Sequence, residues 1–278
     1  VNITNNIFSL KTASNHTLML QEDGSVWAWG SNGYGEVGTG NNVEVQSPVQ
    51  VLKQNGEYLT DVIAIGSSNQ YSIALCENGD VYQWGCLYYS VYYEYDFFDI
   101  NYRATQIPEI EKVTKVCVGD GFRGALDQSS ELWIWGVNTS GIFGDGKESF
   151  IDQPQKAEAN AAFSDMILDS RGSMLLCIDE NKRVGGWGNA GYGYLGAGVE
   201  EYRDEFQYAQ NLSGITSVSI GGSHVLALDE DHCVWEWGVS THSQLSSKEW
   251  LVEFPTKIDG LYDIVSIAAG PCCSIYVK

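Results

Sequence analysis

Apolar and polar positions alternate along this chain in short bursts, and the bursts return in phase. One apolar run closes at Leu20, Leu75, Leu126, Ile178 and Leu228, and a second opens six residues later at Val26, Val81, Leu132, Val184 and Val234. The second run ends in a Trp-Gly pair at Trp29-Gly30, Trp84-Gly85, Trp135-Gly136, Trp187-Gly188 and Trp237-Gly238, at intervals of 55, 51, 52 and 50 residues. Side chains on a strand repeat every two residues, so Trp27 and Trp29 share one side. Links such as Glu22-Asp23-Gly24 and Glu77-Asn78-Gly79 carry the residues a hairpin turn needs. An earlier strand is predicted at 62–66, 113–119, 215–222 and 264–270. A last one falls near Pro48, Pro108, Pro154 and Pro255, where a residue that cannot donate to a ladder suits an outer edge. Helical periodicity is weak throughout.

Each period therefore predicts four short strands. Units this small cannot bury their own faces and must stack, and fixed periods of about fifty residues point to solenoids, arrays or propellers. The prediction is an all-β fold: a single β-propeller domain over residues 1–278, with four-stranded blades at about 6–62, 63–113, 114–166, 167–218 and 219–265. A partial unit, 266–278, is expected to share a sixth, closing blade with the N-terminal residues; five blades plus a partial unit, or a fragment of a longer chain, is the alternative. Each buried indole removes roughly 150–250 Å² from water. At about 25 cal/mol per Å², that is an upper bound on the order of 4–6 kcal/mol. Trp29 and its four counterparts are accordingly expected to be core staples.

The loop after each Trp-Gly pair adds a second pattern. It supplies Asn32, Gly35, Val37, Gly38 and Gly40 in the first copy, and Asn138, Gly141, Phe143, Gly144 and Gly146 in the third. The fourth has Gly193, Leu195, Gly196 and Gly198, with Ala190 where the others have Asn. With the strand and Trp-Gly pattern before it, this resembles the regulator of chromosome condensation repeat family over nearly the whole chain. Tryptophan–aspartate and kelch-type propellers fit less well, because no copy carries Trp-Asp and no double glycine recurs in phase. The resemblance implies a propeller that binds protein partners, as the family's founding member does in exchanging nucleotide on the small GTPase Ran. It equally resembles bacterial propellers that inhibit secreted β-lactamases. The Gly-Trp-Arg-His-Thr repeat of the photoreceptor branch is absent.

Charge narrows the partners. With 36 acidic and 15 basic residues the net charge is −21, which opposes nucleic acid and anionic membrane, where affinity needs Lys and Arg. A monomer that binds a protein of basic or mixed surface is expected. Seven cysteines without a Cys-x-x-Cys pair read as mostly reduced and buried, favouring a reducing compartment such as the cytoplasm, with secretion left open. His16 and His224 share a repeat position with Tyr71, Phe122, Met174 and Cys273, which reads as packing, and His232 and His242 lack ligands at metal spacing. No catalytic residue, metal or cofactor is expected. No Gly-x-Ser-x-Gly or phosphate loop occurs.

The second copy departs from the pattern. Its loop reads CLYYSVYYEYDFFDINY, and the stretch 54–102 holds no Lys or Arg. Tyr88, Tyr89, Tyr92, Tyr93, Glu94, Tyr95, Asp96, Phe97, Phe98, Asp99 and Tyr102 form the candidate partner-binding segment, since tyrosine-rich loops offer stiff contact area with hydroxyl handles. The bland reading is a hairpin that packs on the neighbouring blade. Loops at one repeat phase emerge on one face, so Tyr34, Phe143, Tyr192, Tyr194 and Trp250 are expected to extend an aromatic rim. Glu36, Asp145, Glu200, Glu201 and Asp204 would make it acidic. The most specific expectation is exchange-like regulation of a Ran-type GTPase; the alternatives are an inhibitor of a secreted enzyme and a glycan- or ligand-binding propeller.

Overall fold

The computed structural model describes residues 6–13, 15–86, 100–138, 141–144, 150–159, 161–169, 173–188, 191–198, 203–247 and 249–278. Five antiparallel four-stranded sheets follow one another in chain order. The first holds β1–β4 (Ile7–Thr12, His16–Gln21, Val26–Gly30, Val45–Gln50) and the second β5–β8 (Val62–Ser68, Tyr71–Cys76, Val81–Cys86, Ile100–Gln106). The third holds β9–β12 (Val113–Val118, Phe122–Asp127, Leu132–Val137, Phe150–Lys156) and the fourth β13–β16 (Phe163–Leu168, Met174–Asp179, Val184–Gly188, Arg203–Tyr208). The fifth holds β17–β20 (Ile215–Ile220, His224–Asp229, Val234–Val239, Leu251–Lys257). A sixth, two-stranded sheet pairs β21 (Ser266–Ala269) with β22 (Ser274–Val277). The only helical element among the described residues is a 3₁₀ turn at Gly191–Gly193.

These are the predicted strands in the predicted order. Pro48, Pro154 and Pro255 sit in the outermost strands, whereas Pro108 falls just past β8. Residues 1–5, expected to complete the sixth unit, lie outside the described residues. Every hairpin between second and third strands turns on a short acidic or amide side chain. Asn78 Oδ1 accepts from Asp80 N at 3.0 Å, and Gly79 takes φ +87°. Asp127 and Asp229 accept the indole N–H of Trp133 and Trp235 at 2.9 and 2.8 Å. Each first strand of the five full sheets shifts register at the same point, so that Phe8, Ile63, Thr114, Ser164 and Thr216 bulge outward.

The chain divides into two compact units. One comprises Val1–Ser129, Trp133–Val137 and Ile151–Gln155; the other comprises Ser130–Leu132, Asn138–Phe150 and Lys156–Lys278. In the first, Leu18, Leu20, Val26 and Ala28 meet Val62, Ile65, Ala74 and Trp84 of the next sheet. Ile73, Leu75 and Val81 meet Val113, Ala125 and Trp135 in the same way. Within this unit the Arg123 guanidinium is fully buried, stacked 3.4 Å from the centre of the Tyr71 ring. Burial holds the Arg123 pKa below its usual value and pushes the Tyr71 phenol up to about 12, against the pull of the Arg123 charge. In the second unit, Leu176, Ile178 and Val184 meet Ile215, Val218, Ala227 and Trp237, and Leu226 and Leu228 meet Ile264 and Ile267.

Trp84, Trp135, Trp187 and Trp237 are fully buried, as expected of staples. Trp29 is not: it is only partly covered. Cys76, Cys86 and Cys177 are buried and Cys117 and Cys233 partly so, but Cys272 and Cys273 are exposed, contrary to the expected burial of most cysteines only at that last pair.

Candidate functional site

The connection between third and fourth strands builds the candidate face, and the first copy shows how it is held. Asn32 is buried; its side-chain amide donates to Asn41 O and Val43 O at 2.9 and 3.0 Å, while its Oδ1 accepts from Val37 N at 3.0 Å. One side chain thereby closes the whole loop. Gly35 and Gly38 take φ +79° and +77°, and a Cβ on Gly38 would lie 2.9 Å from Val51 Cγ1 and 3.1 Å from the Trp84 indole. Glycine is required there by both backbone sign and space.

The loop carbonyl of Glu36 accepts two donors from the next repeat: the Trp84 indole N–H and the Ser72 hydroxyl, each at 2.9 Å. Ser72 in turn lies 2.9 Å from His16 Nε2. The same arrangement returns in the fifth copy, where Ser274 Oγ donates to Gln244 O at 2.9 Å and lies 2.9 Å from His224 Nε2. In the fourth copy the Tyr194 carbonyl accepts the Trp237 indole N–H at 2.7 Å. The recurrent histidine is thus a hydrogen-bonding bridge between repeats as well as a packing group.

Copy five lacks the loop glycines and uses a different device. Glu236, buried in β19, accepts from Ser246 N at 2.8 Å, from Ser247 N at 3.2 Å and from the Ser246 hydroxyl. A carboxylate collecting backbone N–H groups replaces the turn that glycine would form. Gln244, at the position of Glu36, donates to Val239 O at 2.9 Å and accepts from His242 N at 2.7 Å, while Ser240, at the Asn position, accepts from Leu245 N at 3.4 Å.

Not every predicted rim residue faces outward. Phe143 is buried, 2% exposed, and its N–H is held by Asn138 Oδ1 at 3.0 Å. It occupies the position of Val37, Leu195 and Leu245, so it plugs the loop from inside and leaves the rim. Glu36 is also removed: its carboxylate turns inward to accept Tyr34 N at 2.8 Å and the Ser31 hydroxyl at 3.1 Å. Tyr194 is partly buried against the core, whereas Trp250 is 64% exposed. In the first unit Tyr34 and Tyr102 are half-buried, and Tyr102 is brought against the first loop: a Cβ on Gly35 would touch its ring, and its carbonyl accepts Gly40 N at 2.7 Å.

The aromatic segment itself, with Tyr88, Tyr89, Tyr92, Tyr93, Glu94, Tyr95, Asp96, Phe97, Phe98 and Asp99, lies outside the described residues, as do Asp145, Glu200, Glu201 and the side chains of Tyr192 and Asp204. Its flanks are described. Cys86 pairs with Ile100 and Gly85 with Asn101, so the segment leaves and rejoins one strand edge. One feature went unread in the sequence. At the other end of β6 and β7 a cavity of about 460 Å³ is lined by Lys53, Asp61, Cys76, Glu77, Asp80 and Tyr82. Glu77-Asn78-Gly79 signalled only a turn, because Lys53 and Asp61 reach the cavity from a different connection. Burial, reinforced by Asp80 and Asp61, pushes the Cys76 thiol up to about 11, leaving it protonated at neutral pH. Among the described residues no group of three His, Cys, Asp or Glu is placed to hold a metal ion.

Tandem four-stranded sheets, indole staples and loops locked by Asn and Gly define a β-propeller repeat protein. The sequence model of the "Regulator of chromosome condensation (RCC1) repeat" matches residues 23–75. The chain is 27% identical over 271 residues to the mouse E3 ubiquitin-protein ligase HERC2, covering 93% of this chain and 6% of that protein. It is 26% identical over 277 residues to the mouse secretion-regulating guanine nucleotide exchange factor, covering 88% of this chain and 58% of that one. Yeast RCC1 (Prp20), solved bound to Kap60, superposes with a TM-score of 0.76 at 20% identity, over 98% of this chain and 68% of that one. The matched repeat recurs in register along the sequence, so the chain is similar to RCC1 repeat proteins over most of its length. It spans little more than half the length of the exchange factor and a small part of HERC2.

Proposed function

We propose that this chain is a protein-binding propeller that regulates a Ran-type small GTPase by promoting nucleotide release. The observation that carries the reading is the pairing of Cys86 with Ile100, which brackets thirteen residues rich in Tyr, Phe and acid at the place where the first, third and fourth copies carry a glycine loop. Fold alone did not call for that replacement. Tyr34 and Tyr102 lie beside its base, and the acidic surface favours a basic or mixed partner. Similarity to the mouse exchange factor supports the choice of partner class. The action is non-hydrolytic: the chain binds and stabilises a nucleotide-free partner.

Release of labelled GDP from a panel of small GTPases, with and without the chain, tests this. Acceleration for at least one is expected, lost when Tyr92, Tyr93 and Phe97 are changed to Ala while the thermal midpoint is unchanged. No acceleration, with inhibition of a secreted β-lactamase in parallel, would overturn the reading in favour of an enzyme inhibitor.

A further inference from the structure

His224 is fully buried, yet one of its ring nitrogens has no partner. Ser274 Oγ gives its only hydrogen to Gln244 O at 2.9 Å and lies 2.9 Å from His224 Nε2, so the imidazole donates through Nε2. Nδ1 is then a buried lone-pair acceptor with nothing bonded to it, and buried polar groups rarely stay so. Space is left beside it. A Cβ on Gly221 would lie 2.8 Å from Nδ1, so glycine keeps that side of the ring open. His224 and Gly221 line a cavity with Asp169, Ser173, Met174 and Tyr194, which leaves the centre of a water-sized group about 10 Å³, about the room one such group needs. Met174, Asp169 and His224 are buried at its floor, while Tyr194 and Ser173 are partly exposed at its mouth and Gly222 is exposed. The walls are the β13–β14 turn, the β17–β18 turn and the glycine loop of the fourth copy, all within the second compact unit and on the candidate face.

From this we infer that the cavity receives the ammonium tip of a lysine side chain carried by the protein that docks on the candidate face. Two acceptors meet there: the Nδ1 lone pair and the Asp169 carboxylate, which the backbone holds in place through Ser173 N at 2.6 Å and Met174 N at 2.7 Å. Among the described lining residues none is Lys or Arg. Ammonium is a compact charge with three donors, close to water in size, so it enters where a planar guanidinium does not. It donates to Nδ1 and meets the charge of Asp169, and the net charge of −21 draws a basic surface towards the mouth. The inference rests on the candidate face binding a protein, and not on that protein being a GTPase.

Titration of the 278-residue chain with methylammonium chloride at pH 7, followed by ¹⁵N NMR, is the test. A saturable upfield shift of His224 Nδ1 is expected, with a matching shift of the Gly222 amide. Guanidinium chloride and sodium chloride at equal ionic strength should produce neither. Asp169→Asn, which keeps an oxygen for Ser173 N and Met174 N, should weaken the response several-fold. His224→Phe, which installs the side chain of Phe122 at the same register, should leave the Gly222 amide unmoved while the remaining amide spectrum reports a folded chain. An equal response to sodium or guanidinium would overturn the inference, and so would no response, which marks the occupant as a structural water only. Arg171 of the β13–β14 turn lies outside the described residues; a response seen only after Arg171→Ala would make the occupant a cation of this chain and overturn the inference too. None of these outcomes decides the GDP-release assay, whose variant changes the aromatic segment.

Discussion

His16 Nε2 lies 2.9 Å from Ser72 Oγ, across 56 residues of chain and a sheet boundary. The single hydroxyl hydrogen of Ser72 goes to Glu36 O, so the imidazole must donate and its proton sits on Nε2. That leaves Nδ1 buried without a partner among the described residues. Protonating it would place a charge where nothing accepts it, and burial lowers the His16 pKa from 6.5 to about 4.

Stability is therefore expected to depend on pH in a definite sense. The unfolded chain binds the extra proton below about 6.5 and the folded one only below about 4, so the contribution is fully present above 6.5 and is lost as pH falls towards 4. The limit is about 3 kcal/mol, and burial lowers the His224 pKa in the same direction. Denaturant melts between pH 7 and 4 should show the loss. His16→Phe, which installs the side chain that Phe122 supplies at the same register, should flatten the slope.

Trp84→Ala should destabilise by about 3–5 kcal/mol, the range for emptying a large core site. Trp84→Phe should cost less but still leave Glu36 O without one of its two donors. Trp29→Ala should have a clearly smaller effect, because Trp29 is partly exposed. Equal effects at the two sites would show that Trp29 is covered in solution.

Gly144→Ala is expected to be poorly tolerated. Its φ is +69°, and the added Cβ would lie 2.1 Å from Trp187 Nε1. The indole is fully buried, so it cannot swing away. A loss above about 1 kcal/mol is expected. Gly33→Ala is the control: nothing lies within 4 Å of its Cβ position, and thermal melts should leave it near the parent.

Glu236→Gln removes the charge that collects Ser246 N and Ser247 N. Hydrogen bonds to charged groups contribute roughly 1.5–3 kcal/mol, so a loss of that order is expected. Amide exchange should quicken at Ser246 and Ser247. Unchanged exchange there would mean that Gln244 and Leu245 hold the loop without the carboxylate.

Fold was far more legible than site. Strand phase, hairpin turns and outer-edge prolines follow from neighbours a few residues apart, and Leu20 to Val26 already marks one hairpin. Phe143 misled because an aromatic in a loop looks the same in sequence whether it points out or plugs the turn. Its match to Val37 and Leu195 was the available clue. Glu36 misled for a similar reason, since a carboxylate that satisfies its own loop reads as surface charge. The acidic cavity beside Cys76 was invisible because Lys53 and Asp61 join Glu77 and Asp80 only through folding.

What the amino-acid order determined by itself was the repeat: four strands per period, an indole at each third strand, and a loop shaped by Asn and Gly. Those are local consequences of side-chain alternation, turn chemistry and positive φ. Tertiary structure alone decided which indoles are covered and which histidine meets which serine. Burial depends on what stands opposite each side chain, and here that neighbour is about fifty residues away.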